Sequence, residues 1–239
     1  MTLIVAENIS HLVEEHYLLL ETHFGGRPGH TTTDAVHYLV YKIKDTWRRD
    51  KVVSILFLNV EGAFSNVVTK QLIHNLHCRH IPEVYVKLIQ NLLTNRKTVL
   101  KFDNFVSELI NINNGIGQGD PLSMILYIIY NAGLLELVDK DNDEDALGYV
   151  AILAIGNDLD NTTDKLSEIM NGRDGGLNWS RTHNSKFEIS KSVIMHATRA
   201  RSDDNEYPGG HPQLELDGQL VEEVESFKYL GIHVDNKLR

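Results

Sequence analysis

The spacing of apolar residues changes period several times along the chain, and each change marks an element. Ile9, Leu12, Val13, Tyr17 and Leu20 recur at helical spacing, so the opening segment is an amphipathic helix that needs a partner surface. Ala35, Leu39, Ile43 and Trp47 define a second helix, opened by Thr31-x-x-Asp34 in the pattern of a capping box. Val52 to Leu58 is continuously apolar with β-branched residues and too short for a helix, which predicts a central strand buried on both faces. Helical spacing returns at Leu72, Ile73 and Leu76, and again at Tyr85, Leu88, Ile89, Leu92 and Leu93, with Pro82 in the first turn of the latter. Thr98 to Ile112 alternates around Asp103-Asn104 and reads as a hairpin.

Pro121 to Leu135 is the longest uncharged run, but it falls short of the roughly 20 apolar residues of a membrane span. It contains Asn131 and Gly133 and is read as a core helix, with no membrane partner. Before it stands Asn114-Gly-Ile-Gly-Gln-Gly-Asp-Pro-Leu-Ser123, whose glycines leave an open backbone that can approach a ligand, with Asp120 as N-cap and Pro121 as first helical residue. Residues 139–145 form an acidic segment, read as a solvated loop because it lacks the glycine and the terminal Glu of a calcium loop. Ala146 to Val150 then runs directly into Ala151 to Ile155, which is apolar at every position. With no turn residue near Val150, residues 149–155 form either one extended strand or two strands joined by a strained non-glycine turn. Asp160 to Met170 is helical, and Ser202 to Pro212 is a loop by composition.

The 239 residues suffice for one large domain or two small ones, and 42% hydrophobic with 23% charged residues is ordinary for a globular protein. Cys78 is the only cysteine, which excludes an internal disulfide and a cysteine zinc cage. With an N-terminus unlike a signal peptide, this points to an intracellular setting, the nucleus included. His74, His77, Cys78 and His80 crowd one helix end, whereas a zinc site needs ligands converging from at least two segments. The net charge of −10 works against simple nucleic-acid binding. Its distribution is uneven: residues 1–101 hold 12 Lys and Arg against 9 Asp and Glu, and residues 102–239 hold 11 against 24. Any contact with a phosphate backbone therefore belongs around Lys42, Lys44, Arg48, Arg49, Lys51, Arg96, Lys97 and Lys101, unless these are a solvated helix face and hairpin.

Asn-Gly-x-Gly-Gln-Gly-Asp-Pro-Leu-Ser resembles the B block of reverse transcriptases of the LINE-like, non-LTR retrotransposon class. Other blocks follow the same resemblance in the same order. Gly26-Arg-Pro-Gly-His-Thr-Thr-Thr-Asp-Ala35 looks like the fingers block, Asn59-Val-Glu-Gly-Ala-Phe64 the A block, Tyr149-Val150 the C block, Leu177 to Ser180 with Ser190 to Met195 the D block, and Val224 to Gly231 the E block. The resemblance implies an α+β fold, the right-hand polymerase palm, with an antiparallel sheet covered by helices on one face and a partial fingers region. It implies fingers over 1–50, palm over 51–200 with a helix and hairpin insertion at 66–112, and an E-block hairpin over 213–239 with no thumb. Gly117, Gln118, Gly119, Asp120 and Pro121 would touch nucleotide and template together with Arg27, and Phe64 would screen the sugar 2′ position. Lys191 would lie near the departing pyrophosphate, and Tyr229, Leu230 and Gly231 would grip the primer. RNA template and DNA primer are the implied partners.

The family's chemistry uses two Mg²⁺ ions about 3.5–4 Å apart, clamped by carboxylates of the A and C blocks. Here the A-block aspartate is Asn59, and the two aspartates that follow Tyr149-Val150 in the family are absent, so the ligand set is lost. Glu61, Asp158 and Asp160 are the nearest substitutes and have no reason to converge on Asn59. The resemblance thus implies a domain that is a reverse transcriptase by descent and inactive as it stands. Two other readings remain open: an active RNA-directed DNA polymerase, if the C-block gap is a gene-model error, and a non-catalytic nucleic-acid-binding or interaction module.

Overall fold

The computed structural model describes every residue except Tyr149 and 200–209, so most of the expected 202–212 loop lies outside the described residues. In chain order the helices are α1 (Thr2–Glu15), α2 (Thr32–Arg48), α3 (Thr69–Cys78), α4 (Glu83–Leu93), α5 (Pro121–Leu135), α6 (Leu159–Asn171) and α7 (Gly176–Thr182). The strands are β1 (Val52–Phe57), β2 (Arg96–Thr98), β3 (Lys101–Phe102), β4 (Phe105–Val106), β5 (Ile110–Ile112), β6 (Glu144–Leu147), β7 (Ala151–Gly156), β8 (Val193–Ala197), β9 (Glu215–Leu216), β10 (Gln219–Leu220), β11 (Glu222–Glu223), β12 (Ser226–Tyr229) and β13 (Ile232–Asp235). The chain forms two compact units: Met1–Leu19, Gly62–Asn131 and His183–Ser185 make the first, and Leu20–Glu61, Ala132–Thr182 and Lys186–Arg239 the second. Residues 1–50 are therefore divided between them. α2 joins the second because Ala35, Leu39 and Ile43 are buried in the same core as the central strands.

The second unit is built on a five-stranded sheet in the order β11-β8-β1-β7-β6. Its pairings are antiparallel except for the edge strand β11, which runs parallel to β8. β1 is central, as its apolar run requires, and five of its six residues are buried. Side chains alternate faces, so β1 and β7 split their apolar residues between two cores. Val53, Ile55, Phe57, Ala151, Leu153 and Ile155 pack with α2 and with Tyr229 and Val234 of the C-terminal hairpin. Leu56, Ile152 and Ala154 pack with Leu166, Ile169 and Met170 of α6 and with Trp179 of α7. The palm-like α+β sheet is thus covered by helices on both faces rather than on one. Strands apolar at nearly every position leave no face that water can occupy.

The capping box at Thr31 is complete, with Thr31 Oγ1 accepting from Asp34 N and Asp34 Oδ2 accepting from Thr31 N. The acidic segment 139–145 is not a wholly solvated loop. Asp145 lies in β6 and is 1% exposed, held by Tyr38 Oη at 2.7 Å and Lys42 Nζ at 2.7 Å. Glu144 is buried beside it and accepts from Asp139 N and Asn142 Nδ2. A buried carboxylate persists only where it is paired and hydrogen-bonded: α2 supplies Tyr38 and Lys42 to Asp145 Oδ2, and Asp145 Oδ1 accepts from Ala146 N at 2.9 Å.

In the first unit α1 ends at Glu15, so Tyr17 falls outside the helix, exposed and at φ 51°, while Val5, Ile9 and Val13 are buried. Pro82 is the N-cap of α4, one place before its expected position. The hairpin over 96–112 exists as two short ladders, β2 with β5 and β3 with β4. Among the described residues no helix is long and apolar enough to cross a membrane.

The Asp145 cluster gives a stability test. Lys42→Ala strands a buried carboxylate and should destabilise the protein by about 3 kcal/mol in urea unfolding, whereas Lys44→Ala, one turn face away and exposed, should change stability by less than about 0.5 kcal/mol. Equal effects of the two would contradict the pairing.

Candidate active site

The ends of β1, β7 and β8 meet where Phe57 pairs with Ala151 on one side and Val193 on the other. Asn59 lies two residues beyond β1, at the position expected for a metal-binding carboxylate. Its backbone N donates to Ser192 Oγ at 3.1 Å, and its carbonyl accepts from Glu188 N at 2.8 Å. Its side-chain Nδ2 donates to Glu188 Oε2 at 3.1 Å. A carboxylate can only accept, so the amide of Asn59 makes a bond here that an aspartate could not. Glu188 also pairs with Lys191, Nζ to Oε1 being 2.8 Å. That hydrogen bond to Glu188, with the Glu188 charge and then Glu61 adding in the same direction, raises the Lys191 ammonium above the usual lysine pKa. Lys191 closes a short helical turn just before β8 rather than standing on a strand. Glu188 escapes the sequence reading because it lies outside every block, and Ser192, within the D block, is given no role there because its partner Asn59 is 133 residues earlier.

β6 and β7 join through a three-residue turn with Leu147 opposite Ala151. Of the expected C-block pair, Tyr149 lies outside the described residues. Val150 is buried at φ 53°, a left-handed conformation that costs a β-branched residue about 1–2 kcal/mol. The segment is therefore two strands joined by a turn that begins at Gly148 and has its left-handed position at Val150 rather than at a glycine. Three hydrogen bonds hold that turn: Gly148 N to Thr22 O at 2.9 Å, Leu58 N to Val150 O at 3.0 Å, and Tyr229 Oη to Gly148 O at 2.8 Å. A Cβ on Gly148 would come within 3.0 Å of Phe24 N, so this turn needs glycine there.

The same bonds locate the E-block residues. Tyr229 is 3% exposed and tilted against Phe57 at 5.3 Å between ring centroids. Leu230 and Gly231, at φ 51° and 87°, make the two-residue turn between β12 and β13. Arg27 is buried in the 20–30 loop, donating from Nη1 to Leu20 O at 2.7 Å and His23 O at 3.3 Å. Of the alternative carboxylates, Glu61 is ion-paired with Lys186 at 3.3 Å. Asp158 caps α6 beyond Gly156, the far end of β7 from Asn59, and Asp160 lies in the first turn of that helix.

The B-block residues belong to the first unit. Asp120 caps α5, its Oδ1 accepting from Leu122 N at 2.8 Å, and Pro121 is the first helical residue. Gly117, Gln118 and Gly119 are exposed on the loop before it. Gly115, at φ 86°, lies where a Cβ would meet Ser65 O at 2.8 Å, which lets Ile116 N bond Phe64 O at 2.9 Å. Phe64 is half-buried against Tyr127, ring centroids 5.0 Å apart. Arg96 braces the loop by donating to the carbonyls of Asn114 and Gly115.

Four of the eight basic residues expected to face a phosphate backbone are already engaged. Lys42 pairs with Asp145, Arg49 and Lys51 with Asp143, and Arg96 with loop carbonyls. Lys44, Arg48, Lys97 and Lys101 make no ion pair among the described residues. Cys78 Sγ lies 3.4 Å from His74 Nε2, and among the described residues no three His, Cys, Asp or Glu side chains are grouped to hold a metal.

A half-buried strand-end site on a palm-like sheet in the second unit and a glycine loop that delivers an apolar helix in the first are features of a polymerase-type domain. The sequence model of the reverse transcriptase (RNA-dependent DNA polymerase) family matches residues 4–234, and the chain belongs to that family. It is similar to an RNA-directed DNA polymerase from the mobile element jockey of Drosophila melanogaster, 24% identical over 90% of this chain and 23% of the relative. It is also similar to a Pol polyprotein from the type-1 retrotransposable element R2 of Popillia japonica, 26% identical over 81% of this chain and 33% of the relative. The chain thus spans about a quarter to a third of the length of these relatives. Among solved structures, telomerase from Candida albicans superposes with a TM-score of 0.63 at 12% identity, over 98% of this chain and 37% of that one, a likeness of fold alone. The non-LTR resemblance and the palm fold are both borne out.

Polymerases of this family use divalent metal ions. The donor set at the strand ends does not fit a metal pair: the A-block side chain offers a neutral amide already bonded to Glu188, and the C-block turn ends in the side chain of Val150.

Asn59→Asp should place two carboxylates about 3 Å apart and remove a hydrogen bond, lowering stability by about 1–2 kcal/mol at pH 7. The repulsion raises the pKa of one carboxyl in the folded state above its unfolded value. The penalty is therefore present at neutral pH and shrinks as pH falls through that raised pKa. Thermal unfolding between pH 7 and pH 4 measures it, and a variant as stable as the parent at pH 7 would contradict the bond to Glu188.

Proposed function

We propose that this chain is a reverse transcriptase domain of a non-LTR retrotransposon that has lost nucleotidyl transfer while keeping the polymerase fold. One observation carries the reading: Asn59 donates its amide to Glu188, where catalysis requires an anionic ligand. Glu188 in turn has Lys191 as counter-ion, so the local negative charge is balanced by protein groups. Mg²⁺ is the ion the ancestral site would have held. Losing outer support alone typically reduces metal affinity or activity by roughly 10–100-fold, and losing the first ligands costs more. RNA template and DNA primer are the ancestral partners. The engaged state of Lys42, Arg49, Lys51 and Arg96 supports weak retention of either by this chain.

The test is primer extension by the purified chain on RNA and DNA templates with Mg²⁺ or the more permissive Mn²⁺. No extension is expected from the chain or from Asn59→Asp alone. Joint repair, Asn59→Asp with Asp-Asp inserted after Val150, is the change expected to be needed for any activity. Template-directed extension by the unaltered chain, abolished by Gln118→Ala, would overturn the proposal. Sequencing the transcript across codons 145–156 decides the gene-model alternative, because an in-frame Asp-Asp there would restore the active reading.

A further inference from the structure

A cavity of about 440 Å³ opens in the first unit between the start of α3, the end of α4 and the end of β5. Its size falls within the roughly 300–1,000 Å³ of small-ligand sites, and no residue of the six sequence blocks lines it. Backbone and side-chain bonds fix its walls against one another. Arg96 Nε donates to Leu93 O at 3.2 Å, at the end of α4, while its Nη2 donates to Asn114 O at 3.0 Å and Gly115 O at 2.6 Å, just after β5. Gly115 N in turn donates to Val67 O at 2.7 Å, which ties the same segment to the chain entering α3. The cavity is therefore preformed, and a ligand need not order it.

The lining selects the ligand. Ile73, Leu93 and Ile112 are its apolar part. Lys70, Gln90, Asn95 and Asn113 also line it, and their side chains make no hydrogen bond or ion pair among the described residues. Asn95 and Asn113 lie just outside the β2–β5 ladder, Asn95 at φ 54°, where strand alternation no longer sets which way a side chain points. No Asp or Glu is in the lining, so its one charged group, the Lys70 ammonium, favours an anion. Each of the three carboxamides offers a donor beside an acceptor in one plane, the arrangement that pairs bidentately with the edge of a nucleobase. An inorganic anion would leave the amides and the apolar lining unused, and a purely apolar molecule would leave the lysine unused. We infer that this cavity binds a nucleoside monophosphate group, with the base against Ile73, Leu93 and Ile112 and the phosphate at Lys70.

The test is an NMR titration of the full chain with adenosine monophosphate, adenosine and inorganic phosphate, read at backbone amides and at Asn and Gln side-chain amides. Adenosine monophosphate should shift the signals of Lys70, Gln90, Asn95 and Asn113. Adenosine, which lacks the charged group, should bind about tenfold more weakly, and phosphate alone more weakly still. Lys70→Gln should weaken adenosine monophosphate about tenfold and leave adenosine unchanged, whereas Asn113→Ala should weaken both. The control Lys101→Gln, exposed and outside the lining, should change neither. Circular dichroism confirms that each variant is folded. A trinucleotide with a terminal phosphate separates the two sources of the group: tighter binding than adenosine monophosphate assigns the cavity to a strand end, and equal binding to a free nucleotide. Absence of shifts at the cavity up to millimolar adenosine monophosphate would overturn the inference, as would equal binding of adenosine or of phosphate alone. Tighter binding of N-acetyl-leucine would assign the cavity to a peptide carboxylate instead, and shifts confined to Gly117–Asp120 would put the nucleotide on the glycine loop. None of these readouts requires nucleotidyl transfer, so the inference fails or holds separately from the polymerase reading.

Discussion

The turn between β6 and β7 has three anchors, and each comes from a different part of the sequence: Thr22 from the loop before α2, Leu58 from the end of the central strand, and Tyr229 from the C-terminal hairpin. Because Leu147 must sit opposite Ala151 for β7 to keep its pairing with β1, the turn has only three residues in which to reverse the chain. Val150 takes the left-handed position that usually belongs to glycine, and its side chain is retained in the core beside Leu58. Strain of about 1–2 kcal/mol at one residue is small against the burial of all six residues of β7. The sheet therefore keeps its register through a tight turn.

That balance explains how fold and chemistry separate here. The fold depends on apolar runs at β1, β7 and β8, which tolerate change as long as register holds. The family's chemistry depends on anionic side chains at the strand ends, on which the register does not depend. Asn59 and Glu188 are hydrogen-bonded to each other, Lys191 balances the Glu188 charge, and Tyr229 ties the turn between β6 and β7.

Much of this was legible in the sequence. The central strand, the capping box at Thr31 and the Asp120-Pro121 helix start are local signals, each with a local physical cause, and the structure shows all three. The cover on both faces of the sheet was implied by the apolar run Val52 to Leu58, although the family pattern suggested one face. Asp145 was misread because its partners Tyr38 and Lys42 lie more than a hundred residues away, and an acidic run carries no sign of which member will be buried. Glu188 was missed for the same reason: its meaning comes from Asn59, 129 residues earlier. Arg27 and Arg96 looked like free cations because a sequence does not show which backbone carbonyls a guanidinium will find.

The central claim is that hydrogen bonds and an ion pair among Asn59, Glu188 and Lys191 have replaced a metal site at the ends of β1, β7 and β8. Paramagnetic broadening of backbone amide resonances by Mn²⁺ tests this without reference to activity. The account predicts no selective loss of the Asn59, Val150 and Lys191 signals at Mn²⁺ concentrations that leave exposed acidic residues such as Asp141 in fast, weak exchange. Selective broadening of those three amides at lower Mn²⁺ than elsewhere would show a metal bound at the strand ends and would contradict it.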